Sequence, residues 1–162
     1  MILIALGANL PSRAGPPAAT LAAALAELET EGVRVEKVSR LYRTAPVPAS
    51  DQPDYINAVA IVTTALDPKA LLLLLHRIEA RFGRVRGARN AARTLDLDLL
   101  DYDGSVADGR DGPVLPHLRL HERAFVLVPL AETAPDWRHP VLGLTALALA
   151  QNLPAEHGVA PF

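Results

Sequence analysis

Hydrophobic residues recur along this chain at two spacings, and each spacing predicts a different kind of element. Residues 2–6 form a short apolar run that stops at Gly7-Ala8-Asn9, which reads as a first strand. Over 18–31, Leu21, Leu25 and Leu28 fall at helical spacing in a stretch rich in Ala, Leu and Glu, and Gly32 ends the helix. Val33, Val35 and Val38 predict a second strand that continues towards Tyr42. Pro46, Pro48 and Pro53 keep 44–53 irregular, whereas 55–65 alternates and is rich in Val, Ile and Thr, a third strand. Asp67-Pro68 opens a second helix, with Asp67 as N-cap and Pro68 in the first turn, running to about Phe82. A loop over 83–92 leads into a strand over 95–102. Asp103-Gly104 is a hairpin signal and predicts a short return strand beginning at Ser105-Val106. Residues 108–112 are turn-rich, Pro116-His117 precedes a short segment ending at Glu122-Arg123, and 144–151 predicts a last helix. The apolar run 125–130 contains Pro129, which is awkward for a central strand. The order β-α-β-β-α-β is the ferredoxin-like arrangement: an α+β fold with an antiparallel sheet flanked by helices.

The strand over 95–102 carries the candidate chemistry. Leu95, Leu97 and Leu99 alternate with Asp96 and Asp98, so the two aspartates project together from the face opposite the leucines. Side-by-side carboxylates repel unless a cation lies between them, and hard oxygen pairs suit Mg²⁺, which completes its shell with waters and phosphates. The plainer alternative is a half-buried strand with a solvated acidic face. Just upstream, Arg77, Arg81, Arg84, Arg86, Arg89 and Arg93 stand against a single acid, Glu79, in a protein whose formal net charge is −2. Arg77 and Arg81 are expected to pair with Glu79 and other acids on an exposed helix face. Arg84, Arg86 and Arg93 meet no acid before Asp96, and their planar donor forks match phosphate oxygens. A basic loop running into paired carboxylates is what an Mg²⁺–polyphosphate site requires.

Composition narrows the classes. The 162 residues fit one domain over 1–162, and 50% hydrophobic content argues against disorder. There is no cysteine, which excludes disulfides, thiolate metal sites and cysteine nucleophiles and fits a cytoplasmic protein. The first residues lack the basic region of a signal peptide, and the longest apolar run, 70–75, is too short to span a bilayer. No membrane association is expected. A pI near 6.2 argues against a general nucleic-acid binder. No internal repeat or low-complexity linker divides the chain.

The motifs then fall in a specific order: Gly7-Ala8-Asn9-Leu10; Ser39-Arg40-Leu41-Tyr42-Arg43-Thr44-Ala45-Pro46; Asp51-Gln52-Pro53-Asp54-Tyr55-Ile56-Asn57-Ala58; Arg77-Ile78-Glu79 with Gly83-Arg84-Val85-Arg86; Arg93-Thr94-Leu95-Asp96-Leu97-Asp98; Pro116-His117; and Glu122-Arg123-Ala124-Phe125-Val126-Leu127. As a set, from Leu3 to about Pro140, they resemble the 6-hydroxymethyl-7,8-dihydropterin pyrophosphokinase family of folate biosynthesis. The resemblance implies a three-layer α-β-α sandwich. It also implies transfer of pyrophosphate from ATP to the pterin hydroxymethyl oxygen with release of AMP. Two Mg²⁺ ions would be held by Asp96 and Asp98. Arg84, Arg86, Arg93, His117 and Arg123 match positions that contact the ATP phosphates, with Arg84 and Arg93 together with Asp96 and Asp98 forming the catalytic set. Glu79 matches a position near the metal-side phosphates, and pairing with a helix arginine is as good an account of it. Tyr55 and Phe125 match a stacking pair for the pterin, Asn57 its hydrogen-bonding partner, and Thr44 and Pro46 its pocket, largely through backbone. The implied partners are ATP and the dihydropterin, with no nucleic acid, and a monomer is expected. His76, His139 and His157 read as surface or satisfied core histidines, and His121 as a helix-start residue.

One segment departs from the family pattern. Relatives commonly carry an arginine-tryptophan-glycine-proline run before the Arg-Thr-Leu-Asp motif, and here Arg89-Asn90-Ala91-Ala92 stands in its place, with the sole tryptophan, Trp137, far downstream. A lid that lacks this apolar cap is expected to close less tightly over an intact metal site. Two further classes stay open: a non-catalytic nucleotide- or pterin-binding module, and an RNA-binding ferredoxin-like domain. The 4% aromatic content weighs against the second.

Overall fold

The computed structural model describes residues 1–85, 87, 92–154 and 158–162. Its strands are β1 (Ile2–Ala8), β2 (Arg34–Val38), β3 (Tyr42–Thr44), β4 (Tyr55–Thr63), β5 (Asp96–Tyr102), β6 (Ala107–Asp108), β7 (Val114–Leu115) and β8 (Val159–Pro161). The helices are α1 (Pro17–Thr30), α2 (Pro68–Arg81), α3 (Ala124–Thr133) and α4 (Ala146–Gln151), with a 3₁₀ turn at Leu120–Glu122. The main sheet runs β5-β1-β4-β3-β8, with β2 also on β4, and every pairing is antiparallel. The expected ferredoxin-like sheet is therefore present, with β1 between β4 and the edge strand β5.

Alternation along the strands separates two cores. Ile4, Leu6, Ala58, Ala60, Leu97 and Leu99 face Leu21, Leu28, Leu71, Leu75 and Ile78 of α1 and α2. Leu3, Val59 and Leu100 face Val126, Leu127, Leu130 and Leu149 of α3 and α4. Burial on both faces makes the sheet the middle of three layers. The helix starts follow local chemistry. Asp67 Oδ1 accepts from the Ala70 amide at 2.8 Å, as its N-cap reading predicts. Among the described residues no helix is long and apolar enough to cross a membrane.

Several expectations are corrected. The second strand does not run through to Tyr42: it breaks at 39–41, where Ser39 Oγ accepts from the Val59 amide, and resumes as β3. The Asp103-Gly104 turn forms, with positive φ at both residues and Ser105 N donating to Tyr102 O at 2.9 Å. No strand returns from Ser105-Val106, because both edges of β5 are already taken. β1 covers one, and on the other His117 N donates to Leu100 O at 2.8 Å and Leu97 N to Glu79 Oε2 at 2.9 Å. Instead β6 pairs with β7 in a separate two-stranded sheet. The Pro129 run is helix α3, in which burial of Val126, Leu127 and Leu130 outweighs the backbone bond that proline cannot make. The last helix is shorter than expected, beginning at Ala146 behind an N-cap at Thr145. β8, which no pattern signalled, pairs with β3.

Candidate active site

Strand register builds the floor of the site. Residues directly opposite in an antiparallel pair point to the same face. Gly7 lies opposite both Asn57 on β4 and Asp96 on β5, and Ala5 opposite both Val59 and Asp98. Two small residues on β1 thus leave a trough, with the Asn57 amide on one bank and the two carboxylates on the other. Thr44 is opposite Tyr55 on one side and Val159 of β8 on the other, which extends the same face outward. A cavity of about 350 Å³ opens over this floor. Thr44, Pro46, Tyr55 and Asn57 line one end, Arg93, Asp96 and Asp98 the other, and Arg123 and Phe125 stand above. Asn57 Nδ2 donates to Thr44 Oγ1 at 2.8 Å, so Thr44 acts there through its side chain.

The carboxylate end is held by arginines. Arg84 Nη1 donates to Asp96 Oδ1 at 2.7 Å, and Arg93 Nη1 to Asp96 Oδ2 at 2.8 Å. Arg84 also bonds Glu79, and burial, which opposes its charge, is outweighed by Asp96 and Glu79, so its pKa is raised. Burial pushes Glu79 up to about 7, against the Leu97 amide and Arg84, which favour its anion. Burial, then the charge on Asp96, lifts Asp98 to about 6. Arg123 Nη1 and His117 Nε2 stand 3.7 and 3.9 Å from Asp98 Oδ2. Burial and Arg123 drive His117 down to about 4, and its Nδ1 accepts from the Arg119 amide at 3.2 Å. His117 is therefore neutral at pH 7 and presents its Nε2 proton to the site. Among the described residues no group of three or more His, Asp or Glu side chains gathers as a closed metal cage. A pair of facing carboxylates, one of them resisting ionisation, nonetheless fits a hard cation that takes its remaining ligands from a substrate.

The predicted site residues Thr44, Pro46, Tyr55, Asn57, Arg93, Asp96, Asp98, Arg123 and Phe125 come together around one cavity, while Arg84, Glu79 and His117 join through Asp96, Asp98 and Leu97. Arg86, Arg89, Asn90 and His157 lie outside the described residues. Glu79 does not pair with Arg77 or Arg81 across a helix face: it is buried against Leu97 and Arg84, and Arg81 instead bridges to Glu27 and Glu31 of α1, both at 2.9 Å. His139 is a satisfied core histidine, its Nδ1 accepting from the Val141 and Leu142 amides. Sequence reasoning missed Arg119, Glu122, Leu153, Pro154 and Val159, which also line the cavity. It also gave Asn9 no role. Asn9 Oδ1 accepts from the Arg93 amide at 2.7 Å, and its Nδ2 donates to Gln52 Oε1 and Pro53 O at 3.1 and 3.2 Å, tying both flanks of the site to the end of β1.

Comparison with known proteins identifies the family and the fold. The family model for 7,8-dihydro-6-hydroxymethylpterin-pyrophosphokinase matches residues 3–135. A 2-amino-4-hydroxy-6-hydroxymethyldihydropteridine pyrophosphokinase of Methylorubrum extorquens is 47% identical over 135 residues, covering 82% of each chain. Its counterpart in Synechocystis is 40% identical over 153 residues, covering 93% of this chain and 75% of that one. Among solved structures, a Plasmodium falciparum HPPK-DHPS triple mutant superposes with a TM-score of 0.76 at 14% identity. That alignment covers 99% of this chain but 47% of the larger one, and at such identity it speaks for the fold alone. By the family match and the level of identity to its relatives, the chain belongs to the 7,8-dihydro-6-hydroxymethylpterin-pyrophosphokinase family.

Proposed function

We propose that this cavity transfers a pyrophosphoryl group from ATP to the hydroxymethyl oxygen of 6-hydroxymethyl-7,8-dihydropterin, releasing AMP, with Asp96 and Asp98 holding two Mg²⁺ ions. The observation that carries the proposal is the cross-strand row Asn57–Gly7–Asp96, which sets an amide for a heterocycle and a carboxylate for a metal on opposite banks of one trough. When bound, Mg²⁺ would neutralise polyphosphate charge and make the attacking hydroxyl more acidic. The chain's own groups account for the rest. Tyr55 and Phe125 offer aromatic surfaces at the end where Asn57 can both donate and accept, which suits a flat heterocycle bearing an amide edge. Arg93 and Arg123 line the same cavity and can take phosphate oxygens, and neutral His117 can donate to another through Nε2. Attack at the β-phosphorus needs positioning and charge neutralisation more than a protein nucleophile; among the described residues no serine lines the cavity, and the sequence has no cysteine.

The test is AMP release from ATP and Mg²⁺ with and without the dihydropterin, alongside Asp98→Asn. Pterin-dependent AMP that falls at least about a thousandfold in the variant supports the assignment. ATP and pterin binding without AMP formation by the unaltered protein would replace it with a binding module.

A further inference from the structure

Gly7 has no backbone reason to be glycine. It lies within β1, outside the left-handed region that Gly15, Gly32 and other glycines of this chain occupy. The reason is space. A Cβ at position 7 would sit 2.8 Å from Asn57 Oδ1, closer than such atoms approach, whereas the next neighbour, Ile56 O, is at an ordinary 3.8 Å. The conflict is with the Asn57 amide alone. That amide has little room to give way: it is 6% exposed and anchored on its far side to Thr44 Oγ1, which β4 and β8 clamp from both edges of β3.

We infer that Gly7 is a positioning residue of the reaction, its bare Cα seating the Asn57 amide at the pterin end of the trough. The inference rests on the proposed function for what Asn57 holds. A methyl group at position 7 must rotate the amide, and rotation breaks the Thr44 bond and misaims both the donor and the acceptor that the heterocycle would use. The backbone need not move, because the clashing atom is the end of a side chain. Alanine also fits a strand at least as well as glycine. The cost to stability is thus limited to the Thr44 bond, a drop of a few degrees in thermal midpoint, while ligand recognition is lost.

The experiment uses Gly7→Ala, Asn57→Ala and the double variant of the full chain. Dihydropterin affinity is read from its fluorescence with ATP analogue present, ATP affinity is measured separately, and thermal midpoints and steady-state constants are recorded. Gly7→Ala is expected to weaken dihydropterin binding and raise its KM about tenfold, the worth of one mis-set hydrogen-bond pair, with ATP affinity within about twofold of the starting protein. In the Asn57→Ala background the same change is expected to cost less than about threefold, because the amide it displaces is gone. Unchanged dihydropterin binding, or a full tenfold loss persisting without Asn57, would overturn the inference. So would a variant that fails to fold or loses ATP and pterin binding together, since Gly7 would then be structural. Absence of pterin-dependent AMP in the unaltered protein would instead remove the proposed function itself.

Discussion

Asp96, the residue at the metal end of the trough, has both carboxylate oxygens bonded to arginine, and this makes a quantitative prediction. One oxygen takes Arg84 at 2.7 Å, the other Arg93 at 2.8 Å. A cation seeking Asp96 in the nucleotide-free protein meets their positive charge and competes with them for its oxygens. Arg93→Met is the informative perturbation. It keeps an aliphatic stem, and the backbone of position 93 stays pinned, because its amide donates to Asn9 Oδ1 and its carbonyl accepts from the Asn9 and Leu10 amides at 3.0 and 3.1 Å. Arg84 is the poorer choice, since removing it also takes a charged partner from buried Glu79. A charge-assisted hydrogen bond contributes about 1.5–3 kcal/mol, and with Arg93 and Asp96 still 28% and 20% exposed the pair is discounted to about 1–2 kcal/mol. Loss of that competition is expected to tighten Mn²⁺ binding to the nucleotide-free protein about tenfold, read by electron paramagnetic resonance of the free ion. ATP affinity in excess Mg²⁺ should fall over the same range, because the displaced guanidinium is then missing from the phosphates. Mn²⁺ affinity that is unchanged or weaker in Arg93→Met would refute the idea that arginine and metal compete for Asp96.

Two further outcomes follow from buried groups around the trough. Glu79 titrates near 7 in the folded protein against an ordinary 4.5, so the native state holds a proton that the unfolded chain releases between those values. Its stabilising contribution is full below pH 4.5 and is lost as pH rises through 7. The unfolding free energy of the metal-free protein relative to Glu79→Gln should therefore fall by on the order of 3 kcal/mol from pH 4.5 to 7 and level off above, measured by urea titration, whereas a flat difference would deny the shift. Comparing with the single variant matters, because lowered His117 works in the opposite sense over about 4 to 6.5. Asn9→Ala should lower the thermal midpoint by roughly 6 °C, from about 2 kcal/mol of lost bonds and a stranded Arg93 amide, and should weaken ATP and dihydropterin binding together. Loss of one affinity without the other would show that Asn9 does not tie both flanks.

What was legible in the sequence divides along the range of the signal. Asp67-Pro68, the period-two run of β4 and the leucine–aspartate alternation of β5 are local, and each formed where expected. The failures are tertiary. Asp103-Gly104 makes its turn, but a turn cannot reveal that His117 and Glu79 have already covered the strand edge it should return along. Pro129 reads as a strand problem until the sheet face it covers is known, and then as a tolerated defect in a helix with three buried anchors. β8 is three residues ending in Pro161, too short for any period, and it exists because β3 has a free edge. Arg119, Leu153 and Val159 reach the cavity only through that packing.

The aspartates of β5 show why residue type alone could not finish the site. Asp96, Asp98 and Asp101 lie on one strand, and strict alternation would send Asp101 to the face opposite the other two. Leu100 is an extra residue in the pairing with β1, where the register shifts between Leu3 and Ile4, and this bulge turns Asp101 back to the α3–α4 side. There it is 1% exposed and accepts from Trp137 Nε1 at 2.9 Å, so the chain's only tryptophan locks the strand to the helical layer. Asp96 and Asp98 instead lie opposite Gly7 and Ala5, whose small side chains leave the cavity open beside them. Three identical carboxylates thus divide into two that face a cavity and one that is structural. The division is set by the small residues opposite on β1 and by one residue of register, neither of which is written in the run Asp-Leu-Asp-Leu-Leu-Asp itself.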